Sequence, residues 1–349
     1  MTLPVETSDN ILVTVTGASG FVATHCILGL LQAGYRVRGT VRSFKRCKEI
    51  EEGLSKHVDI AGRLEFTEAD LLDDTGWPAA VEGARYVLHV ASPLPSAPPK
   101  DEMELITPAR EGALRVLRAA SEAGVQRVVL TSSLAAVTSG HQRGAGRTFD
   151  ESDWSDLSQP MGAYEKSKTM AERAAWDFVE ALDASKGLEL VAINPGVVLG
   201  PTLIADYSMS AEFVGKLLRK DVPGCPKINV ALTDVRDVAA AQIAAMLAPE
   251  ANGKRFILAG KNTPMRDIAL VLRGEYGPRG YRVPTTLLPN LLIRLVARFD
   301  KTIGLIVPEL GRPTHVSSKQ AEQLLGYKNR SLREMVVSTA DSLIEHNLA

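Results

Sequence analysis

The chain has 349 residues, 45 % of them apolar, 23 % charged and 5 % aromatic, and its 40 Lys+Arg against 41 Asp+Glu leave a formal charge of −1. That near-neutral balance, without a basic stripe, argues against a nucleic-acid binder, and a composition so close to the soluble average argues against a disordered or fibrous chain. The length suffices for a large core without staples and suggests two lobes.

Cys26, Cys47 and Cys225 stand far apart with no metal-like spacing, which fits a reducing compartment. Residues 1–10 carry acids and no apolar stretch, unlike a signal peptide. No run reaches the roughly 18 apolar residues of a membrane span. The nearest, 287–299, is broken by Asn290, Arg294 and Arg298 and reads as an amphipathic helix. A soluble, cytoplasmic monomer or homodimer is expected, with no nucleic-acid or membrane partner.

In chain order, short β-branched runs at 11–16, 35–41, 64–67, 86–90, 127–132, 188–193 and 255–258 predict strands. Helical patterns lie between them at 20–33, 108–123 and 164–184. Alternation of this kind predicts an α/β fold, a Rossmann-type doubly wound parallel sheet covered by helices on both faces. After Asn194 the rhythm breaks into Pro- and Gly-punctuated segments, with helical runs at 211–218, 234–248, 266–274 and 317–325. The reading is a dinucleotide-binding domain over 1–194, completed by about 233–259, and a smaller interleaved C-terminal substrate lobe, 195–232 and 260–349. Pro93, Pro95, Pro98 and Pro99 stiffen a loop after the fourth strand.

The sharpest local signal is Thr16-Gly17-Ala18-Ser19-Gly20-Phe21-Val22-Ala23, which follows the first strand and opens a helix. A pyrophosphate needs backbone N–H groups aimed at it and no side chain in the way; Gly17 makes the turn, Gly20 permits close approach and Ala23 lets helix and sheet pack. The backbone of Gly17, Ser19, Gly20, Phe21 and Val22 is the expected cradle at the helix N-terminus. An ordinary Gly-rich turn is the alternative. Residues 38–46, where an NAD site usually places a carboxylate, contain no acid, but they contain Arg42 and Arg46, suited to a 2′-phosphate. NADPH is therefore expected over NADH, against the plainer reading of a solvated basic turn.

Tyr164 and Lys168, four residues apart at the start of a good helix former, share a helix face. A phenol titrates near ~10, too high for an ideal proton donor at neutral pH, and a neighbouring ammonium is expected to lower it. Of the seven tyrosines only Tyr164 has a basic residue at this spacing. Thr131-Ser132-Ser133 ends the fifth strand at the carboxyl edge of the sheet, where α/β proteins bind ligands.

With these motifs in order, joined by Val41-Arg42-Ser43, Asp70-Leu71, Val90-Ala91-Ser92-Pro93, Asn194-Pro195-Gly196, 234–238 and Leu325-Gly326-Tyr327, the chain resembles an extended short-chain dehydrogenase/reductase. The branch is the one that holds dihydroflavonol 4-reductases, cinnamoyl-CoA reductases and fungal NADPH-dependent aldehyde/ketone (methylglyoxal) reductases. The resemblance implies Tyr164 as general acid, Lys168 as its tuning partner and holder of the nicotinamide ribose, and Ser133, with Ser132 as the alternative, orienting the carbonyl. It implies Asp70 and Leu71 beside the adenine, Ala91 and Ser92 along the cofactor, and Pro195, Gly196 and Val198 bordering the nicotinamide. Asp70 capping a turn and Pro195-Gly196 ending a strand are the plainer readings.

Two departures matter. Glu111 stands before Gly112 where many relatives have Asn, and it is given no role. Residues 160–164, Pro-Met-Gly-Ala-Tyr, lack the Asn-Trp-Tyr-Cys-Tyr signature of cinnamoyl-CoA reductases, which argues against a CoA thioester. The expected activity is NADPH-dependent reduction of a small-molecule aldehyde or ketone, with Thr138 and Met161 as candidate substrate contacts or packing residues. A hydroxysteroid dehydrogenase, a nucleotide-sugar epimerase and a non-catalytic NADP(H)-sensing module are the alternatives. The six histidines form no two-His metal spacing; His25 and His89 read as packing residues, and Asp234, Arg236 and Asp237 as a hydrogen-bonded anchor. No Gly-x-Ser-x-Gly elbow supports a hydrolase.

Overall fold

All seven β-branched runs become strands of one parallel sheet: β1 (Leu12–Val15), β2 (Arg36–Val41), β3 (Leu64–Glu68), β4 (Tyr86–His89), β5 (Arg127–Thr131), β6 (Glu189–Pro195) and β7 (Arg255–Leu258). Their order is β7-β6-β5-β4-β1-β2-β3. β1, β4 and β7 are buried at every position, as a strand covered on both faces must be. In register, Val13 lies between Val37 and Tyr86. The order reverses between β1 and β4, which opens a crevice at the carboxyl ends of the strands. The computed structural model describes residues 8–93, 99–141, 147–205, 209–299, 301–304, 306–311 and 313–349, so Pro95 and Pro98 of the proline loop lie outside the described residues.

Helices α1 (Phe21–Gln32), α2 (Met103–Glu122), α3 (Ala163–Glu180) and α4 (Val235–Leu247) pack in pairs, α1 with α4 and α2 with α3. The expected N-terminus of α2 at residue 108 is corrected to Met103, with Pro108 inside the helix. A proline forfeits one helical bond, here to the carbonyl of Glu104 in the exposed first turn, where water can replace it. The amphipathic helix expected over 287–299 shortens to Asn290–Val296, flanked by Pro289 at its N-cap; Leu291 and Phe299 are 80 % and 87 % exposed. Among the described residues no helix is long and apolar enough to cross a membrane.

A second apolar cluster joins Val214 and Leu217 of the helix Met209–Leu218, Leu272 and Tyr276 of Met265–Tyr276, and Met335, Val336 and Leu343 of Leu332–Glu345. Beside it a small sheet pairs Val197–Leu199 with Asn229–Asp234 and that strand with Asn262–Pro264. The helix Leu332–Glu345 went unread in the sequence although it begins with a capping box, Ser331 and Glu334 bonding each other's backbone N–H. Ser331→Ala should cost about 1 kcal/mol, and Leu343→Ala, which empties a fully buried site, about 2–5 kcal/mol. Urea denaturation monitored by circular dichroism reads both, with the second midpoint shift the larger.

Candidate active site

β1 delivers Thr16 to the crevice, where its hydroxyl accepts from the N–H groups of Val90 (3.0 Å) and Ala91 (2.9 Å). With both lone pairs taken, its proton goes to His89 Nδ1 at 2.8 Å, which fixes a neutral imidazole carrying its proton on Nε2. Burial, assisted by the Lys168 charge, pushes His89 down to about 3. Gly17 follows at φ +70°, its N–H donating to Thr40 Oγ1 at 3.0 Å. A Cβ there would lie 3.1 Å from Ala91 Cα, so a side chain would close the gap between the turn and Ala91-Ser92. α1 starts at Phe21 with Gly20 as N-cap and no side-chain cap, leaving the N–H groups of its first turn to a ligand. Ser19, Phe21 and Val22 are half-buried around that opening. The cradle therefore fits a pyrophosphate.

After β2, Ser43 caps the turn by accepting from Lys45 N–H. Arg42 is exposed and makes no ion pair among the described residues. Arg46 is paired with Glu49, Nε to Oε2 at 2.9 Å and NH2 to Oε1 at 3.3 Å, which holds the Glu49 carboxyl below its usual range. Asp70 accepts from Leu72 N–H at 2.9 Å, and its carbonyl accepts from the Trp77 indole. The turn-capping reading of Asp70 is thus realised, with its side chain only half-buried. Leu71 packs partly buried against the cluster beneath α2.

At the end of β5 the two serines diverge. Ser132 donates to Glu172 Oε2 at 2.5 Å. Ser133 opposes the rise that burial gives the Tyr164 phenol, and its hydroxyl accepts from Ala135 N–H at 3.1 Å. Lys168 is buried, its ammonium 3.5 Å from the Thr131 carbonyl and 6.0 Å from the centre of the Tyr164 ring. The expectation that this ammonium lowers the phenol is corrected: burial raises Tyr164, and Ser133 is the group that opposes it. The reason is geometric, since Lys168 points toward Thr131 and Glu172. Burial brings Lys168 itself down to about 8, opposed by Glu172. Leu134 N–H donates to the Pro195 carbonyl at 2.9 Å, which ties the serine loop to the end of β6.

The model of the NAD dependent epimerase/dehydratase family matches residues 13–259. The chain belongs to that family. Anthocyanidin reductase ((2S)-flavan-3-ol-forming) of Vitis vinifera is 34 % identical over 286 residues, 78 % of this chain and 82 % of that one. Cinnamoyl-CoA reductase 1 of Arabidopsis thaliana is 38 % identical over 255 residues, 71 % and 70 % of the two chains. Yeast methylglyoxal/isovaleraldehyde reductase Gre2 complexed with NADPH superposes with a TM-score of 0.80 at 27 % identity, over 97 % of this chain and 100 % of that one. The relatives are reductases, and the chain is an oxidoreductase.

In this epimerase/dehydratase-family chain, Pro195 is buried at the end of β6 and Gly196 lies against the small sheet, where a Cβ would meet the Ala231 carbonyl oxygen at 2.2 Å. Val198 is half-buried in the following strand. Thr138 is 4 % exposed with its hydroxyl 3.3 Å from the Leu134 carbonyl, a packing position; Met161 is half-buried beside Gly140. Glu111 lies 3.6 Å from Arg110. Asp234 caps α4 and grips Arg236 at 2.7 and 2.8 Å, and Asp237 pairs with Arg330, the anchor expected. Sequence reasoning missed Glu172 and Arg255; the available signal was a carboxylate one turn beyond Lys168 on the Tyr164 face.

His25 is buried on the Pro201 carbonyl at 2.8 Å and lowered by burial to about 4. Both this ring and His89 fall below the ordinary ~6.5, so the unfolded chain binds more protons as pH falls below that value. Their contribution to stability is complete above pH ~6.5 and is lost on acidification, at about 1.4 kcal/mol per pH unit for each ring. ¹⁵N NMR of the imidazoles should find neither protonated between pH 8 and 5 in the folded chain.

Proposed function

We propose that the protein is an NADPH-dependent reductase that converts an aldehyde or ketone to an alcohol. The observation that carries this reading is the meeting of Ser133, Tyr164 and Lys168 at the carboxyl edge of the sheet, beside an uncapped Gly-rich turn. When bound, the reduced nicotinamide supplies hydride to the carbonyl carbon. The Ser133 hydroxyl and the Tyr164 phenol hold the carbonyl oxygen, and Tyr164 gives it the proton. The buried Lys168 ammonium holds the nicotinamide ribose in this reading. The Gly17–Val22 backbone takes the pyrophosphate, and Arg42 with Arg46 takes the 2′-phosphate. Asp70 and Leu71 border the adenine, Ala91 and Ser92 the dinucleotide, and Pro195, Gly196 and Val198 the nicotinamide.

The remaining C-terminal segments, 195–232 and 260–349, form the substrate lobe in this reading. A cavity of about 230 Å³ there is lined by Val197, Leu199, Phe213, Val230, Met265 and Ile268, with Ser210 as a polar member. It begins one residue after Gly196, which suits a carbonyl compound with a medium-sized apolar substituent. Residues 160–164 depart from the cinnamoyl-CoA reductase signature, which favours a free aldehyde or ketone over a thioester. The protein acts away from the membrane core, in the cytoplasm.

The test is NADPH oxidation with a panel of aldehydes, aryl ketones and α-keto esters. Tyr164→Phe should lower kcat by about 10²–10⁴ while NADPH still binds; wild-type turnover in that variant overturns the mechanism. Arg42→Ala should weaken NADPH at least tenfold and leave NADH unchanged, by fluorescence titration. Reduction needs the Lys168 ammonium, so kcat should decline as pH rises past about 8. Retention of a tightly held cofactor without turnover of simple carbonyls would favour an epimerase.

A further inference from the structure

Glu172 is 1 % exposed, and its carboxylate is fully claimed. It accepts from Ser132 Oγ at 2.5 Å, Asn194 Nδ2 at 2.7 Å, Arg255 Nε at 2.6 Å and the Trp176 indole at 3.3 Å. Tyr164, Lys168 and Glu172 follow one another at four-residue steps and share one face of α3. Three of the donors come from the ends of β5 and β6, which build the site, and from the start of β7. Ser132 follows β5 and precedes Ser133. Asn194 belongs to β6, precedes Pro195, and also donates to the Ser133 carbonyl at 3.1 Å. Arg255 opens β7; its guanidinium stacks 3.7 Å from the centre of the Trp154 ring and donates to the carbonyls of Glu151 and Asp153 at 3.0 and 2.6 Å.

Holding a helix against a sheet does not require two buried charges, because apolar residues of the same volume do so at least as well. A charge at this place does what a leucine cannot: it fixes direction, and it faces Lys168. We propose that Glu172, clamped by Arg255, is a positioning residue of the reduction, setting Ser133 in register with Tyr164 and serving as the counter-charge of Lys168. The inference rests on the reductive reading above.

The surroundings of Lys168 support that role. β5 offers the Thr131 carbonyl, β4 the neutral His89, and α2 only Ala109 and Ala113. On α3 itself stand Tyr164 and Glu172, with Arg255 of β7 beyond the carboxylate. Glu172 is thus the one carboxylate lining the same cavity as Lys168 among the described residues, and it opposes the loss of the Lys168 proton that burial promotes. Removing its charge makes Lys168 deprotonate at lower pH, so the alkaline decline of reduction begins earlier.

The test compares Glu172→Gln and Glu172→Asp in the full chain with NADPH. Glu172→Gln should lower kcat at least tenfold, leave the NADPH Kd within threefold, and move the alkaline limb of kcat down by at least half a pH unit. Glu172→Asp, which keeps the charge, should restore the limb with intermediate kcat. A purely structural role would lower stability and leave the limb where it was. The Lys168 midpoint read by ¹³C NMR of labelled lysines needs no turnover, so it separates failure of this inference from failure of the reductive reading. A folded Glu172→Gln with an unmoved Lys168 midpoint overturns the proposal. If that variant does not fold, Ser132→Ala keeps the ion pair and should cut kcat at least fivefold with the Lys168 midpoint unchanged; wild-type kcat there overturns the positioning role.

Discussion

Between β1 and β4 the Thr16 hydroxyl receives two backbone N–H groups from the start of one loop and gives its proton to the histidine that ends the neighbouring strand. This knot lies where the strand order reverses, the one line in such a sheet along which the loops diverge instead of covering each other. It brings Gly17 within van der Waals distance of Ala91, so the turn and the β4 loop form a single narrow cleft lined by backbone. Every later element of the site is measured from that line. β5 brings the serines beside it, β6 brings Pro195, and α3 lays Tyr164 and Lys168 across their ends.

The electrostatics of the cleft follow from burial. Lys168 sits among a carbonyl, a neutral imidazole and a carboxylate, all of them desolvated. Desolvation favours loss of its proton; the carboxylate one turn further along the helix works against that loss. His89 can remain neutral beside an ammonium because its acceptor nitrogen is occupied by Thr16. A proton on that nitrogen would break the bond that holds the two strand ends together.

Much of this was legible in the sequence, for physical reasons. A strand buried on both faces has to be apolar along its length, so 86–89, 127–131 and 189–195 announced themselves. A turn that approaches a phosphate cannot carry side chains, and Gly17 and Gly20 said so. The choice between Ser132 and Ser133 was not legible, because adjacent residues on a strand end point in opposite directions and only the third dimension shows which partner each meets. Glu172 and Arg255 were hidden for a related reason: they lie 83 residues apart and meet only once β7 is added to the edge of the sheet. The direction of the Tyr164 shift was misread because helical spacing shows that two side chains share a face, while the aim of a long lysine depends on the carbonyl it finds. The small sheet and the helix Leu332–Glu345 were missed because short strands and a terminal helix carry weak periodicity.

The two arginines of the β2 turn differ in one respect with a further consequence. Arg46 already holds the anion Glu49, whereas Arg42 holds none among the described residues. A phosphate at Arg46 would share that guanidinium with a resident carboxylate, so its net gain there would be reduced. At the exposed Arg42 it would meet no such competitor among the described residues. In the reductive reading proposed above, discrimination for the phosphorylated dinucleotide would therefore fall mainly on the outer arginine, because Glu49 competes for the inner one.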